Sequence, residues 1–134
     1  MDVQPSGATD LVSVDTDNNR VFLTFKGFLS VADAEHLYDA YRSAIARVGR
    51  GYTAVSIFED FVPGTEDVQA IISKMIKMAN DNGCLAAARV AEGSIFGPLQ
   101  LGRLQREVMA DYPVKDFKNL KEANAYLDGL AGEA

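Results

Sequence analysis

The sequence predicts an α/β domain: a mixed sheet of about five strands, the first antiparallel to the second, with four helices mainly on one face. Three observations carry this. Two short apolar runs flank Asp17-Asn18-Asn19, a turn-forming cluster, which is the pattern of a β-hairpin. Stretches with apolar residues at helical spacing then alternate with short strand-like runs, and a last helical stretch closes the chain. Within the strands, one set of alternating positions is almost wholly apolar while the other is mixed.

Each element has its own signal. Residues 1–9 are small, polar and Pro/Gly-bearing and read as a flexible arm, leaving residues 10–130 as one domain. Leu11, Val12 and Val14 make the first strand, and Arg20 to Lys26 the second. Ser30 is a suitable N-cap with Asp33 three residues on. Behind it Val31, Ala34, Leu37, Tyr38, Tyr41, Ile45 and Val48 form a helical stripe that stops at Gly49-Arg50-Gly51. Tyr52 to Phe58 is the next strand. Thr65 caps a helix carrying Val68, Ile71, Ile72, Met75 and Ala79, closed by Asn82-Gly83. Cys84 to Ala91 is a further strand, followed by a helix that starts between Ser94 and Pro98 and runs to about Tyr112. That helix places Leu101, Leu104 and Val108 inward. Val114 to Phe117 is the last strand. Asn119 and Glu122 form a capping box for a helix buried through Leu120, Ala123, Leu127 and Leu130.

The strand alternation also predicts the layering. Val21, Leu23 and Phe25 alternate with Arg20, Phe22, Thr24 and Lys26, so one face is fully buried and the other partly so. Near-sequential strand order follows, because right-handed crossovers between successive neighbours put their helices on the same side. The second face, with Phe22, Tyr52 and Arg89 assigned to it, then needs cover from the arm, a subunit or a ligand. This is the ground for expecting a homodimer.

Composition removes several function classes. The chain has 134 residues, 48% hydrophobic and 24% charged, which is ordinary for one globular domain. A net charge of −6 argues against nucleic acid and anionic membrane surfaces, both of which need clustered Lys and Arg. The single cysteine, Cys84, suits a reducing cytoplasm, and the acidic polar start MDVQPSGATD is unlike a secretion signal. A cytoplasmic protein is expected.

In a parallel α/β sheet, functional groups gather where strands end and helices begin. The first such loop after a central strand reads Glu59-Asp60-Phe61-Val62-Pro63-Gly64-Thr65-Glu66-Asp67. It holds no nucleophile–base pair, no metal-ligand cluster and no glycine-rich phosphate cradle, so neither an enzyme nor a cofactor is expected. The carboxylates of Glu59, Asp60, Glu66 and Asp67 suit helix capping and the helix dipole better than a hard-cation site. His36 falls on the polar side of its helix, and Cys84 reads as a small buried hydrophobe without basic neighbours. Gly97-Pro98 reads as a helix start rather than a phosphate loop, and Met75, Met78 and Met109 as core filling or the lining of an adaptable groove. Glu59, Asp60, Phe61, Val62, Pro63, Gly64, Thr65 and Glu66 are thus the candidate site for a partner or ligand. Phe61 is expected as an exposed anchor held out by Pro63 and Gly64, the alternative being that it folds back onto the core.

Three segments point further: Gly27-Phe28-Leu29-Ser30, Phe58-Glu59-Asp60-Phe61 and Phe117-Lys118-Asn119-Leu120-Lys121-Glu122-Ala123. With the element order over about residues 10–130, they resemble the SpoIIAA-like, or STAS, family of anti-sigma-factor antagonists, and most of all its bacterial SpoIIAA-like branch. The resemblance implies a strand–helix superhelix and a non-catalytic regulatory module that binds a protein partner. In the antagonists an Asp-Ser-Ser-Gly stretch at the second helix carries a phosphorylatable serine that switches binding to a kinase. Here the stretch reads Pro63-Gly64-Thr65-Glu66-Asp67, with no serine and with negative charge already in place, so Thr65 is expected as a cap and not as a phosphorylation site. The alternative is a carrier or sensor of a small apolar, lipid-like ligand, taken into a pocket between this loop and the methionine-bearing helices.

Overall fold

Asp15 and Asn18 turn the chain back on itself: the Asn18 amide donates to Asp15 Oδ1 at 3.2 Å and its side chain to Oδ2 at 2.7 Å. Asn19 leaves the turn with φ of 53°, a left-handed geometry that asparagine tolerates. The computed structural model describes residues 11–62, 64–92 and 96–133, and side chains within 11–62, 64–91 and 102–130. The strands are β1 (Val12–Asp15), β2 (Arg20–Lys26), β3 (Thr53–Glu59), β4 (Ala86–Glu92) and β5 (Val114–Phe117). The helices are α1 (Val31–Ile45), α2 (Glu66–Asp81), α3 (Phe96–Glu107) and α4 (Leu120–Glu133). The expected arm, residues 1–9, and the stretch 93–95 before α3 lie outside the described residues.

The sheet order is β1-β2-β3-β4-β5, with β1 antiparallel to β2 and every later pair parallel. Residues two apart on a strand share a face, so the register defines both layers. Val21, Leu23 and Phe25 lie level with Ala54, Ser56 and Phe58, and those with Ala87, Arg89 and Ala91. This face packs on α1, α2 and α3 through Leu37, Tyr41, Val68, Ile72, Met75 and Leu104. A capping box holds the start of α1: Ser30 Oγ accepts from the Asp33 amide at 3.1 Å, and Asp33 Oδ2 from the Ser30 amide at 3.2 Å. α2 ends where Gly83 takes φ of 79°, and α3 ends at Glu107, short of Tyr112, because Met109 turns left-handed at φ of 58°.

The opposite face carries a smaller core of Val55, Ala86, Ala88 and Val90 beneath Ala123 and Leu127 of α4, with Phe22 and Ile57 at its margin. Three of the four helices therefore lie on one face, in keeping with the expected arrangement mainly on one face, and the fourth lies on the other. The reason is topological. α1, α2 and α3 each link parallel neighbours and share a side, whereas α4 follows the last strand and is free to take the uncovered face. Val31 and Leu120, expected inward, are exposed at the ends of their helices. Tyr52 and Arg89 belong to the α1–α3 face, where the Tyr52 hydroxyl lies 2.8 Å from that of Tyr41. With α4 over Phe22, the ground for expecting a homodimer is removed.

Arg20 fastens this second layer. It is 2% exposed, and its Nε donates to Thr53 Oγ1 at 2.8 Å, Nη1 to Asn124 Oδ1 at 2.9 Å and Nη2 to Asp128 Oδ1 at 2.9 Å. Removing it breaks the tie to α4 and leaves a void, so Arg20→Ala is expected to cost about 3 kcal/mol. Asp128→Ala touches only the exposed end of the pair and is expected to cost about 1 kcal/mol. Urea unfolding of both variants measures the difference, and equal losses would show that Arg20 does not carry α4.

Candidate functional site

The predicted site begins where β2 and β3 leave the sheet side by side. Lys26 and Glu59 are paired, and the next residue on each strand turns left-handed: Gly27 at φ of 57° and Asp60 at φ of 51°. The two exits are zipped together, the Gly27 amide donating to the Glu59 carbonyl at 2.9 Å and the Val62 amide to the Gly27 carbonyl at 3.1 Å. An aspartate in this geometry is strained relative to glycine, although its short polar side chain makes it one of the few residues that accept it.

Phe61 turns inward. It is 2% exposed, edge-on to Phe25 at 5.9 Å and to Phe58 at 5.6 Å between ring centroids, and those two rings stack at 5.1 Å. The expected exposed anchor is therefore a core residue, because three aromatic rings gain more by packing together than one gains in water. Gly64 is also buried, its carbonyl accepting from Gln69 Nε2 at 2.8 Å. Pro63 lies outside the described residues. Thr65 caps α2, its Oγ1 accepting from the Val68 amide at 3.4 Å, and Glu66 and Asp67 stand exposed in the first turn. Glu59 and Asp60 are exposed, and Val62 is 44% exposed.

Sequence reasoning missed the aromatic that does face outward. Phe28, 60% exposed, lies one residue beyond Gly27, and exposed Val31 follows at the start of α1. The signal is the capping box at Ser30. The residue before an N-cap commonly turns inward toward the fourth helical residue; Leu29 and Ala34 are both buried in the main core, and Phe28 is left out.

A second site lies on the α1–α3 face, away from that loop. One level of the sheet breaks the apolar pattern: Ser56 on β3, Arg89 on β4 and Asp116 on β5 are successive register partners. The Arg89 side chain is 14% exposed, and its Nε donates to Asp116 Oδ1 at 2.7 Å. Beneath it is a cavity of about 50 Å³, walled by Leu23, Ala54, Ile72, Met75 and Ile76. An outer cleft of about 250 Å³ adjoins it, with Arg89, Gln105 and Val114 lining both. Met75 lines the inner cavity, and Met109 the outer cleft.

His36 is exposed on α1. Cys84 is buried, and burial pushes its thiol up to about 12, so the thiolate is scarce at neutral pH. Burial likewise raises the Tyr41 and Tyr52 hydroxyls, which pair with each other. Gly97-Pro98 falls in the first turn of α3. Among the described residues, no three His, Cys, Asp or Glu side chains come together as a metal donor set. No family model matches this chain, and neither a curated protein nor a solved structure is significantly similar to it.

Phe61→Ala empties an aromatic core position and is expected to cost about 3–5 kcal/mol. Thr65→Ala removes only a cap and is expected to cost about 1 kcal/mol, whereas Asp60→Gly relieves the left-handed strain and gains about 1 kcal/mol. Thermal and urea unfolding of the three variants gives the order. A Phe61→Ala protein as stable as the parent would place that ring outside the core.

Proposed function

We propose that the protein is a non-catalytic interaction module of the SpoIIAA-like, or STAS, type, which lacks the phosphorylatable serine and takes a protein partner at the carboxyl edge of its sheet. One observation carries this reading. Phe28 and Val62, two of the large apolar side chains left in water, come from the two adjoining loops at that edge, and exposed Val31 opens the helix that follows Phe28. The carboxylates of Glu59, Asp60, Glu66 and Asp67, also exposed, flank Val62 along the chain. An apolar centre with a charged rim is the anatomy of a protein interface, and an aromatic is its commonest anchor. The negative rim calls for a partner with a basic rim, and attraction of that kind weakens with salt.

The mixed sheet in sequential order, with its opening hairpin, accords with the superhelix that the family resemblance implies. No helix among the described residues is long and apolar enough to cross a membrane. The lone buried cysteine supports a cytoplasmic setting. A second reading, a carrier or sensor of a small apolar ligand, is supported by the cavity beneath α2 and α3.

Affinity capture from the native host, with bound proteins identified by mass spectrometry, tests the edge. Phe28→Ser and Val62→Ser should melt within a few degrees of the parent, since both side chains already face water. Both should lose the captured partner, and capture by the parent should fall as salt rises from 0.05 to about 0.5 M. Variants that retain the partner in full would overturn the assignment of this edge.

A further inference from the structure

α4 closes the second sheet face, but the outer side of the helix layer has a surface of its own. α1 and α2 each link parallel neighbours on one side of the sheet, so they run in the same direction. Between them lies a cleft of about 260 Å³, lined by Glu35, Tyr38 and Asp39 of α1 and by Ile71 and Lys74 of α2. Tyr38 and Ile71 are half-buried against the main core and make an apolar floor, whereas Glu35, Asp39 and Lys74 are exposed. The apolar seam continues at seven-residue spacing to half-buried Ile45 on α1 and Met78 on α2, a period that keeps one helix face outward. The two walls differ in charge. Asp39 is bonded to Arg42 of its own helix at 3.3 Å, so Glu35 is the charge that α1 offers to the cleft. Lys74 is the charge that α2 offers. Among the described residues neither of these two forms an ion pair, although both border the same cleft.

We propose that this face binds a second copy of the chain, with a two-fold axis running along the groove between α1 and α2. A partner for the groove needs a basic and an acidic wall on either side of an apolar seam, and the face itself is such a surface. Rotation about that axis lays α1 of one copy on α2 of the other and keeps the four helices in one direction. Glu35 of each copy then meets Lys74 of the other, and Tyr38 meets Ile71 across the floor. An axis across the helices would instead set α1 on α1 and like charge on like. A 15-residue helix is about 22 Å long and packed neighbours lie about 10 Å apart, so the contact buries roughly 900 Å² in all. That is the size of a weak, concentration-dependent association rather than a permanent one. Both carboxyl edges emerge at the same end of such a dimer, which leaves Phe28 and Val62 free. The inference therefore stands apart from the partner site at the edge.

Sedimentation velocity of the full chain, from about 1 µM to about 1 mM, tests this. The mean mass should rise from 14.5 kDa toward twice that value across the range. Glu35→Lys and Lys74→Glu, both at exposed positions, should each weaken dimerisation about tenfold or more, because each sets like charges together at both contacts. The double swap Glu35→Lys/Lys74→Glu restores opposite charges and should return to within about threefold of the parent. Phe28→Ser and Val62→Ser should dimerise as the parent does. A mass that stays at 14.5 kDa throughout would overturn the proposal. Dimerisation untouched by both single reversals, or not recovered in the double swap, would overturn the pairing of α1 with α2. Loss of the dimer in Phe28→Ser would move the contact to the sheet edge and overturn this face as the interface.

Discussion

Burying a guanidinium is costly unless its donors find partners, and Arg20 meets that demand from both layers at once. Thr53 on the neighbouring strand takes Nε, while Asn124 and Asp128 on α4 take the two Nη groups. The bond to Thr53 stays within the sheet, but the other two exist only when α4 lies across the second face. Once it does, Ala86, Ala88 and Ala123 let the helix approach closely, and Val55, Val90 and Leu127 lose water. Apolar burial supplies the larger driving force and Arg20 supplies the position, since hydrogen bonds fix direction where hydrophobic contact does not. With that face closed, Phe28 and Val62 remain exposed at the edge loops and the cleft beside α3 remains open.

The two sites differ in how they are built. At the edge, the β2 and β3 exits are bonded to each other and pinned from inside by Phe61 against Phe25 and Phe58. A rigid base of this kind holds Phe28 and Val62 in water, where they would otherwise fold back for the gain in burial. The cleft, by contrast, is built from a departure in the pattern of the sheet. Ser56, Arg89 and Asp116 replace apolar residues at one register level, and Gly102 removes the helix side chain that would close over them.

Much of the fold was legible in the sequence because short-range physics writes it there. The Asp17–Asn19 turn, the Ser30 box, the Thr65 cap and the Gly83 stop are each decided within a few residues. The parallel order followed from strand alternation. What was misread depends on contacts distant in sequence. Phe61 and Phe28 are both aromatics in edge loops, and only the position of Phe25 and Phe58 shows which one the core accepts. Arg89 was assigned to the wrong face because its face is set by its level with Ser56, a register that no local signal in β4 carries. The side taken by α4 was hidden for the same reason, since its partner Arg20 lies at the other end of the chain.

Gln69 ties the two sites into one structure. Its amide nitrogen donates to the carbonyl of Gly64 in the edge loop, at 2.8 Å, and its amide oxygen accepts from Arg103 on α3. Arg103 lies beside Gly102 and one turn before the end of the helix that carries Arg106. The side chain that fixes the buried corner of the edge loop thus also holds the helix that forms one wall of the cleft, so the two regions are braced against each other through a side chain of α2 as well as through the sheet beneath.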